Sequence, residues 1–268
     1  MKIVAFAGGV GGAKLVDGLA AWLPPEDFSV IVNTGDDFEY LSLKISPDLD
    51  TVCYNLADLY NIETGWGRRE ETWVTYEAVR DLGGPGWFHI GDKDLATHLF
   101  RTSQLFQGIP LSAVTRALCD HWGIEHAVYP MSDDPIRTLV KTSEGTVLGF
   151  QEYFVKLACK PQVAGFEFVG AAASKPVPRA YHALEAADLV ILAPSNPWVS
   201  IDPILAVPGY REILSKKSVI AVSPLIGGKA LKGPAAKMYL ELGIQPSASA
   251  VASHYREFLT GFVFDNAD

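Results

Sequence analysis

The stretch Ile3-Val4-Ala5-Phe6-Ala7-Gly8-Gly9-Val10-Gly11-Gly12-Ala13-Lys14, carried on to Leu23 and closed by Pro24-Pro25, decides the fold. Its first five residues are apolar without alternation, as in a strand buried on both faces of a parallel sheet. Four glycines then break the run. From Ala13 to Leu23 a helical period returns, placing Leu15, Val16, Leu19, Trp22 and Leu23 on one stripe before the two prolines stop it. A second apolar run, Phe28–Val32, completes a βαβ opening. That opening predicts a Rossmann-like α/β fold with a mostly parallel sheet.

Further strand-like runs follow at Glu125–Tyr129, Leu189–Ala193 and Val219–Val222. Between them, residues 51–122 read differently: helical periodicity dominates over Thr51–Tyr60, Glu71–Leu82, Lys93–Gln107 and Ser112–Trp122, which predicts a helical insertion into a single α/β domain spanning 1–268. From Arg137 to Val155 two strand-like runs flank Ser143-Glu144-Gly145, a turn signal, so a hairpin at the edge of the sheet is expected there.

Of the 268 residues, 49% are hydrophobic and 20% charged, enough apolar content for a large core and unlike a disordered chain. The net charge of −9, with no Lys/Arg run, argues against nucleic acid as a partner. Cys53, Cys119 and Cys159 are odd in number and far apart, so neither a disulfide framework nor a zinc knuckle is expected. The histidines show no zinc-ligand spacing, and the Gly-x-Ser-x-Gly elbow of a serine hydrolase is missing. Ile3–Ala7 is too short for a secretory signal and no run reaches membrane-spanning length; a cytoplasmic protein without a membrane partner is the expectation.

Five segments carry chemistry. In Gly8–Lys14 the glycines Gly9, Gly11 and Gly12 let backbone N–H groups approach a phosphate at a helix N-terminus, with Lys14 supplying a full positive charge. The spacing is neither a Walker motif nor a complete Gly-x-Gly-x-x-Gly, since Lys14 stands in the last position. A ligand-free strand-to-helix turn is the bland alternative. Asn33-Thr34-Gly35-Asp36-Asp37 lies just past the second strand, where adjacent carboxylates serve either a Mg²⁺ site or an Asp-rich turn. In Ser46-Pro47-Asp48-Leu49-Asp50-Thr51, Asp48 is the better candidate for the N-cap or for an early-turn acid, which leaves Asp50 free to point elsewhere. Gly91–Leu99 starts a helix on which Lys93, Thr97 and Arg101 share one face, with His98 beside it; a solvated charged face has the same pattern. Finally, Ala193-Pro194-Ser195-Asn196-Pro197 and Ser223–Lys229 are strand-end loops of small hydrogen-bonding residues, suited to a nucleotide cleft.

Taken in order, Gly8–Lys14, Asn33–Asp37, Ser46–Thr51, Gly65-Trp66-Gly67, Gly91–His98, Ala193–Pro197 and Ser223–Gly228 make the chain resemble the 2-phospho-L-lactate transferase family of deazaflavin coenzyme biosynthesis. The resemblance implies transfer of a phospholactyl or phosphoenolpyruvyl group from a GMP-activated diphosphate donor to the ribityl hydroxyl of the deazaflavin Fo, with GMP released. It also implies Mg²⁺ dependence and a homodimer. By the same resemblance Asp36 and Asp50 are the metal and catalytic carboxylates, with Asp50 also near the Fo hydroxyl. Lys93, Thr97 and His98 belong to the Fo side, and Gly9, Gly11, Gly12, Lys14, Ser195, Asn196 and Ser223 to the guanine-nucleotide side. Trp66 and Trp73 are candidates for the deazaflavin slot. Lys93 stands where the family often has arginine, which keeps the charge and loses the bidentate fork. The competing readings are a regulatory protein resembling nucleotide-sugar-binding relatives that share the glycine loop, and an NAD-dependent oxidoreductase. Pro47-Asp48-Leu49-Asp50 and the segment from Gly91 to His98 favour the transferase over the first, and the incomplete fingerprint at Lys14 with Asp36-Asp37 followed by a second carboxylate motif weakens the second.

Overall fold

A computed structural model describes residues 1–268. The chain opens with β1 (Ile3–Ala7), α1 (Gly9–Ala20) and β2 (Phe28–Val32). It continues with a hairpin, β3 (Phe38–Tyr40) and β4 (Leu43–Ile45), and then α2 (Pro47–Leu56), α3 (Val74–Asp81), α4 (Asp92–Phe106) and α5 (Leu111–His121) before β5 (Ala127–Pro130). Next come β6 (Arg137–Thr142), β7 (Val147–Gly149) and β8 (Val163–Val169), then α6 (Pro178–Ala186), β9 (Leu189–Leu192), α7 (Asp202–Leu205), α8 (Tyr210–Leu214) and β10 (Ser218–Val222). The chain closes with β11 (Leu225–Ile226), β12 (Lys229–Ala230), α9 (Ala235–Glu241), α10 (Ala248–His254) and β13 (Gly261–Val263).

The central sheet runs β13-β10-β9-β1-β2-β5 and every pair in it is parallel. From β1 the chain first winds outward through β2 to β5, then returns to the other side of β1 at β9. This is the doubly wound order, and the crevice between β1 and β9 is its switch point. Alternation along the strands divides the core: Val4, Phe6, Ile31, Val190 and Leu192 pack on one face of the sheet, and Ile3, Ala5, Ala7, Val30 and Val32 on the other.

Several elements depart from the sequence reading. α1 begins at Gly9, four residues before the expected Ala13, so the glycines form its first turn; it also ends at Ala20, leaving Trp22 89% exposed rather than on the buried stripe. α2 begins at Pro47, four residues before Thr51, because proline is preorganised for the first helical position. Of the two places expected for Asp48, the structure takes the early-turn acid, and Ser46 is the N-cap. The hairpin β6–β7 forms across Ser143–Gly145 as expected, yet it does not extend the central sheet. It joins β8 in a separate antiparallel sheet, β7-β6-β8, and residues 152–156 wind into a π-helical turn instead of a strand. No helix is long and apolar enough to cross a membrane.

Candidate active site

The site grows from the carboxyl ends of β1, β2 and β9. Ser195, 4% exposed, donates its hydroxyl to the Gly8 carbonyl (2.7 Å) and accepts from the Gly8 N–H (3.0 Å), tying the loop after β9 to the loop after β1. Glycine is required here by close approach of the protein to itself. A Cβ on Gly8 would run into Asp48 Oδ2 and Ser200, one on Gly11 into the Pro194 carbonyl, and one on Gly12 would lie 2.5 Å from Ser195 Oγ. Gly9 has φ +63°, a left-handed value that glycine adopts without strain.

Asp48, 7% exposed, reaches from the first turn of α2 to the glycine loop, where its Oδ1 accepts from the Gly9 N–H at 2.6 Å. Its Oδ2 accepts from Asn33 Nδ2 at 2.9 Å. The Asn33 amide orientation is fixed because its Oδ1 accepts from the Gly35 N–H (2.8 Å), which turns Nδ2 toward Asp48, the Val199 carbonyl (3.1 Å) and Asp36 Oδ1 (3.4 Å). Two amide hydrogens face three acceptors, so the longest contact, to Asp36, is the weakest. Gln151 Nε2 donates to the other Asp36 oxygen at 3.0 Å. Ser46 donates to Asp37 Oδ2 at 2.7 Å.

One turn along α2 from Ser46, Asp50 forms an ion pair with the fully buried Arg101 of α4. Arg101 also donates to the Lys44 carbonyl (3.3 Å) and to His98 Nδ1 (3.2 Å). The other ring nitrogen of His98, Nε2, lies 3.3 Å from Asp94 Oδ2. Tyr54 donates to Asp94 Oδ1 (2.7 Å) and lies 2.8 Å from the Thr97 hydroxyl. Ligand atoms of Asp50, Asp94 and His98 fall within 4.8 Å of one another.

Electrostatics distinguish the members of this group. Burial pushes Asp36 well above the ordinary carboxylate range, and the neighbouring Asp48 and Asp37 charges push further against the Gln151 hydrogen bond. Burial likewise raises Asp37 to about 8, against the opposing pull of Ser46 and Arg101. Asp48 rises to about 6, burial outweighing its bonds from Asn33 and Gly9. Asp50 is raised by burial, which Arg101 and His98 only partly offset. Burial also acts upward on Asp94, but His98, Tyr54 and Arg101 together hold it below the usual value.

These acids are short of positive charge. Arg101 acts on Asp50 and Asp37, Asp36 and Asp48 are held by the neutral donors Asn33, Gln151 and the Gly9 N–H, and Asp37 Oδ1 and Asp50 Oδ2 have no hydrogen-bond partner. A set of carboxylate oxygens with unused lone pairs suits a hard divalent cation such as Mg²⁺.

The structure thus brings Gly9, Asp36 and Asp50 to one region through Asp48, Asn33 and Asp37. It places other candidates differently. Lys14 is exposed on α1 and makes no hydrogen bond or ion pair. Lys93 is exposed and lies 3.4 Å from Glu70 Oε2, while Thr97 and His98 are enclosed within the network around Asp94. Asn196 caps the turn after β9 by accepting from the Trp198 N–H at 3.1 Å. Ser223 closes a local turn onto Leu225. Sequence reasoning missed Gln151 and the role of Asp48. Arg101 was visible only as a helical neighbour of Thr97, because its charge partner lies on another helix.

Fold and site together define a doubly wound α/β protein in which an acidic cluster meets a helix N-terminus at the switch point. Within that class the chain belongs to the 2-phospho-L-lactate transferase (CofD) family, whose model matches residues 3–267. It is 44% identical to a phosphoenolpyruvate transferase of Streptomyces griseus over 100% of this chain and 86% of that protein. It is 40% identical to a 2-phospho-L-lactate transferase of Methanosarcina mazei, over 99% of this chain and 88% of the relative. Among solved structures it is similar to a UPF0052 family protein of Bacillus halodurans, with TM-score 0.65, 15% identity, and 98% of this chain and 80% of that one covered. At that identity the likeness concerns the fold.

Proposed function

We propose that this chain is a Mg²⁺-dependent transferase that moves a phospholactyl or phosphoenolpyruvyl group from a guanylylated diphosphate donor to the ribityl hydroxyl of Fo, releasing GMP. The observation that carries the reading is the meeting of Asp48 with the Gly9 N–H, which sets the acid cluster against the first turn of α1. In that turn the N–H groups lack intrahelical acceptors, and with Gly9 taken by Asp48 those of Val10 and Gly11 are left for a diphosphate. The loops after β9 and β10 take the guanosine end, their shape held by Ser195, Asn196 and Ser223.

In the transfer, the acceptor oxygen bonds to the phosphorus bearing the lactyl or enolpyruvyl group, and the bond from that phosphorus to the GMP oxygen breaks. GMP leaves as a phosphate, so the chain's task is alignment and charge stabilisation rather than covalent catalysis. Asp50, with Oδ1 held by Arg101, orients the hydroxyl through Oδ2 and accepts its proton. Asp36 and Asp50 would hold Mg²⁺, and the ion would supply charge neutralisation on the diphosphate. The enzyme acts as a homodimer, which sedimentation of the purified protein tests.

The deciding experiment incubates the protein with Fo, Mg²⁺ and each guanylylated donor, following GMP release and product mass. A product heavier than Fo by the transferred group, with stoichiometric GMP, is expected from at least one donor. No GMP from any donor overturns the reading.

A further inference from the structure

We propose that Cys53 of α2 and Cys119 of α5 form an oxidisable dithiol, which hydrogen peroxide converts to a disulfide that displaces the acid-bearing helix and lowers turnover. Three cysteines far apart in the sequence offer no reason to expect a bridge, and all three are free thiols. The fold brings two of them, 66 residues apart, to 3.9 Å between sulfur atoms. Cys159 stands apart, with its Sγ 3.9 Å from the Phe154 carbonyl.

A lone buried cysteine behaves as a small apolar residue. Cys53 and Cys119 are 3% and 1% exposed, in the core formed with Leu49, Val52, Leu111 and Ile124. There each sulfur has the other as its hydrogen-bonding contact. A disulfide holds its sulfur atoms about 2.05 Å apart, so about 1.9 Å of approach remains, the scale of an ordinary helix shift.

Burial selects the oxidant. A glutathione-sized disulfide has no room at sulfur atoms this enclosed, whereas hydrogen peroxide is little larger than water. The hydrogen bond from Cys53 holds the Cys119 thiol below the ordinary range against burial, with Arg116 assisting. The same contact, reinforced by burial, pushes Cys53 well above it. Cys119 is therefore the sulfur that attacks. Its thiolate bonds to one peroxide oxygen, the O–O bond breaks, and the departing hydroxide takes the proton that Cys119 gave up and becomes water. The Cys53 sulfur then attacks the resulting sulfenic sulfur. The S–S bond forms, the S–O bond breaks, and the second hydroxide leaves as water with the Cys53 proton. Two thiols lose two electrons and one peroxide is reduced to two waters.

The consequence follows from where Cys53 sits. It lies three residues after Asp50 on α2, which also carries Asp48. α2 packs on α1, whereas α5 packs on β5 and α4, so the new bond ties together helices with different supports. Drawing Cys53 toward Cys119 shifts Asp50 against Arg101 of α4 and pulls Asp48 from the Gly9 N–H. The loss of turnover rests on the transferase reading above, and the disulfide itself does not.

The test exposes the folded protein to hydrogen peroxide, alkylates the remaining thiols under denaturing conditions, and measures intact mass, linked peptides and GMP release. Expected are a loss of about 2 Da before alkylation, a peptide pair joining Cys53 to Cys119, and turnover reduced about tenfold and restored by dithiothreitol. Cys119→Ala should turn over normally and keep its rate in peroxide; Cys53→Ala serves in its place if that variant fails circular dichroism. Cys159→Ala should respond as wild type does. Cys53 and Cys119 both remaining alkylatable after peroxide, oxygen addition without the linked pair, or a linked protein with undiminished turnover overturns the proposal. Wild type that releases no GMP before oxidation removes the transferase reading instead, and the disulfide then stands or falls on the mass and the linked peptides.

Discussion

Replacing Arg101 by methionine removes the buried cation that Asp50 depends on while keeping most of the side-chain volume. Arg101 and Asp50 are both almost completely enclosed, so the variant strands a carboxylate away from water. Breaking such a pair by removing one partner costs about 3–5 kcal/mol, and here the Lys44 carbonyl and His98 Nδ1 lose a donor as well. The carboxylate has an escape route: burial already raises Asp50, and without Arg101 it rises further and takes up a proton. A carboxyl whose folded pKa lies above its unfolded value contributes stability below that unfolded value and loses it as pH rises through the folded one. The deficit of Arg101→Met relative to wild type should therefore widen from pH 5 to pH 8. Urea denaturation followed by tryptophan fluorescence measures it at each pH. The double variant Asp50→Asn/Arg101→Met should recover more than half of the loss, since the stranded charge is gone. A deficit below about 1 kcal/mol, or a double variant as unstable as the two single losses added together, would refute the reasoning.

Three further outcomes are expected. Metal-free protein should gain stability as pH falls from 8 to 5.5, because Asp36, Asp37 and Asp48 are all raised on folding and the native state binds more protons across that range; Mg²⁺ should raise the melting temperature more at pH 8 than at pH 5.5, and thermal denaturation at both values checks this. Asp36→Ala and Asp50→Asn should each abolish GMP release with the circular dichroism spectrum retained, and turnover surviving in both removes the carboxylate mechanism. Ser195→Ala leaves both Gly8 backbone groups without their buried partner and should cost about 1–3 kcal/mol while weakening GMP binding; wild-type values in both measurements would show that the two loops hold their places without it.

The central strands were legible because parallel strands buried on both faces must be apolar throughout, and Ile3–Ala7 and Phe28–Val32 occupy the ranges their composition predicts. What was hidden has identifiable causes. The turn between β3 and β4 is made by Leu41 and Ser42, both at positive φ, where Asn-Gly would have announced a hairpin. β13 is only Gly261-Phe262-Val263, too short to stand out from its surroundings. Glycines are poor helix formers, so nothing local said that α1 would start at Gly9; Asp48 satisfying the Gly9 N–H is a contact between residues 39 apart in sequence. The acids of the site were readable as motifs, while their partners Gln151 and Arg101 come from segments whose only link to those motifs is the fold.

The position of Arg101 on α4 also bears on how this chain could be dismantled. Because the guanidinium that neutralises Asp50 of α2 arrives from residues 92–106, the helices α3 to α5 are no detachable cap. Trimming them to obtain a minimal nucleotide-binding scaffold would leave α2, which packs on α1, with an orphan negative charge at Asp50. Any shortened design would need a neutral residue at position 50, and would give up the chemistry with it.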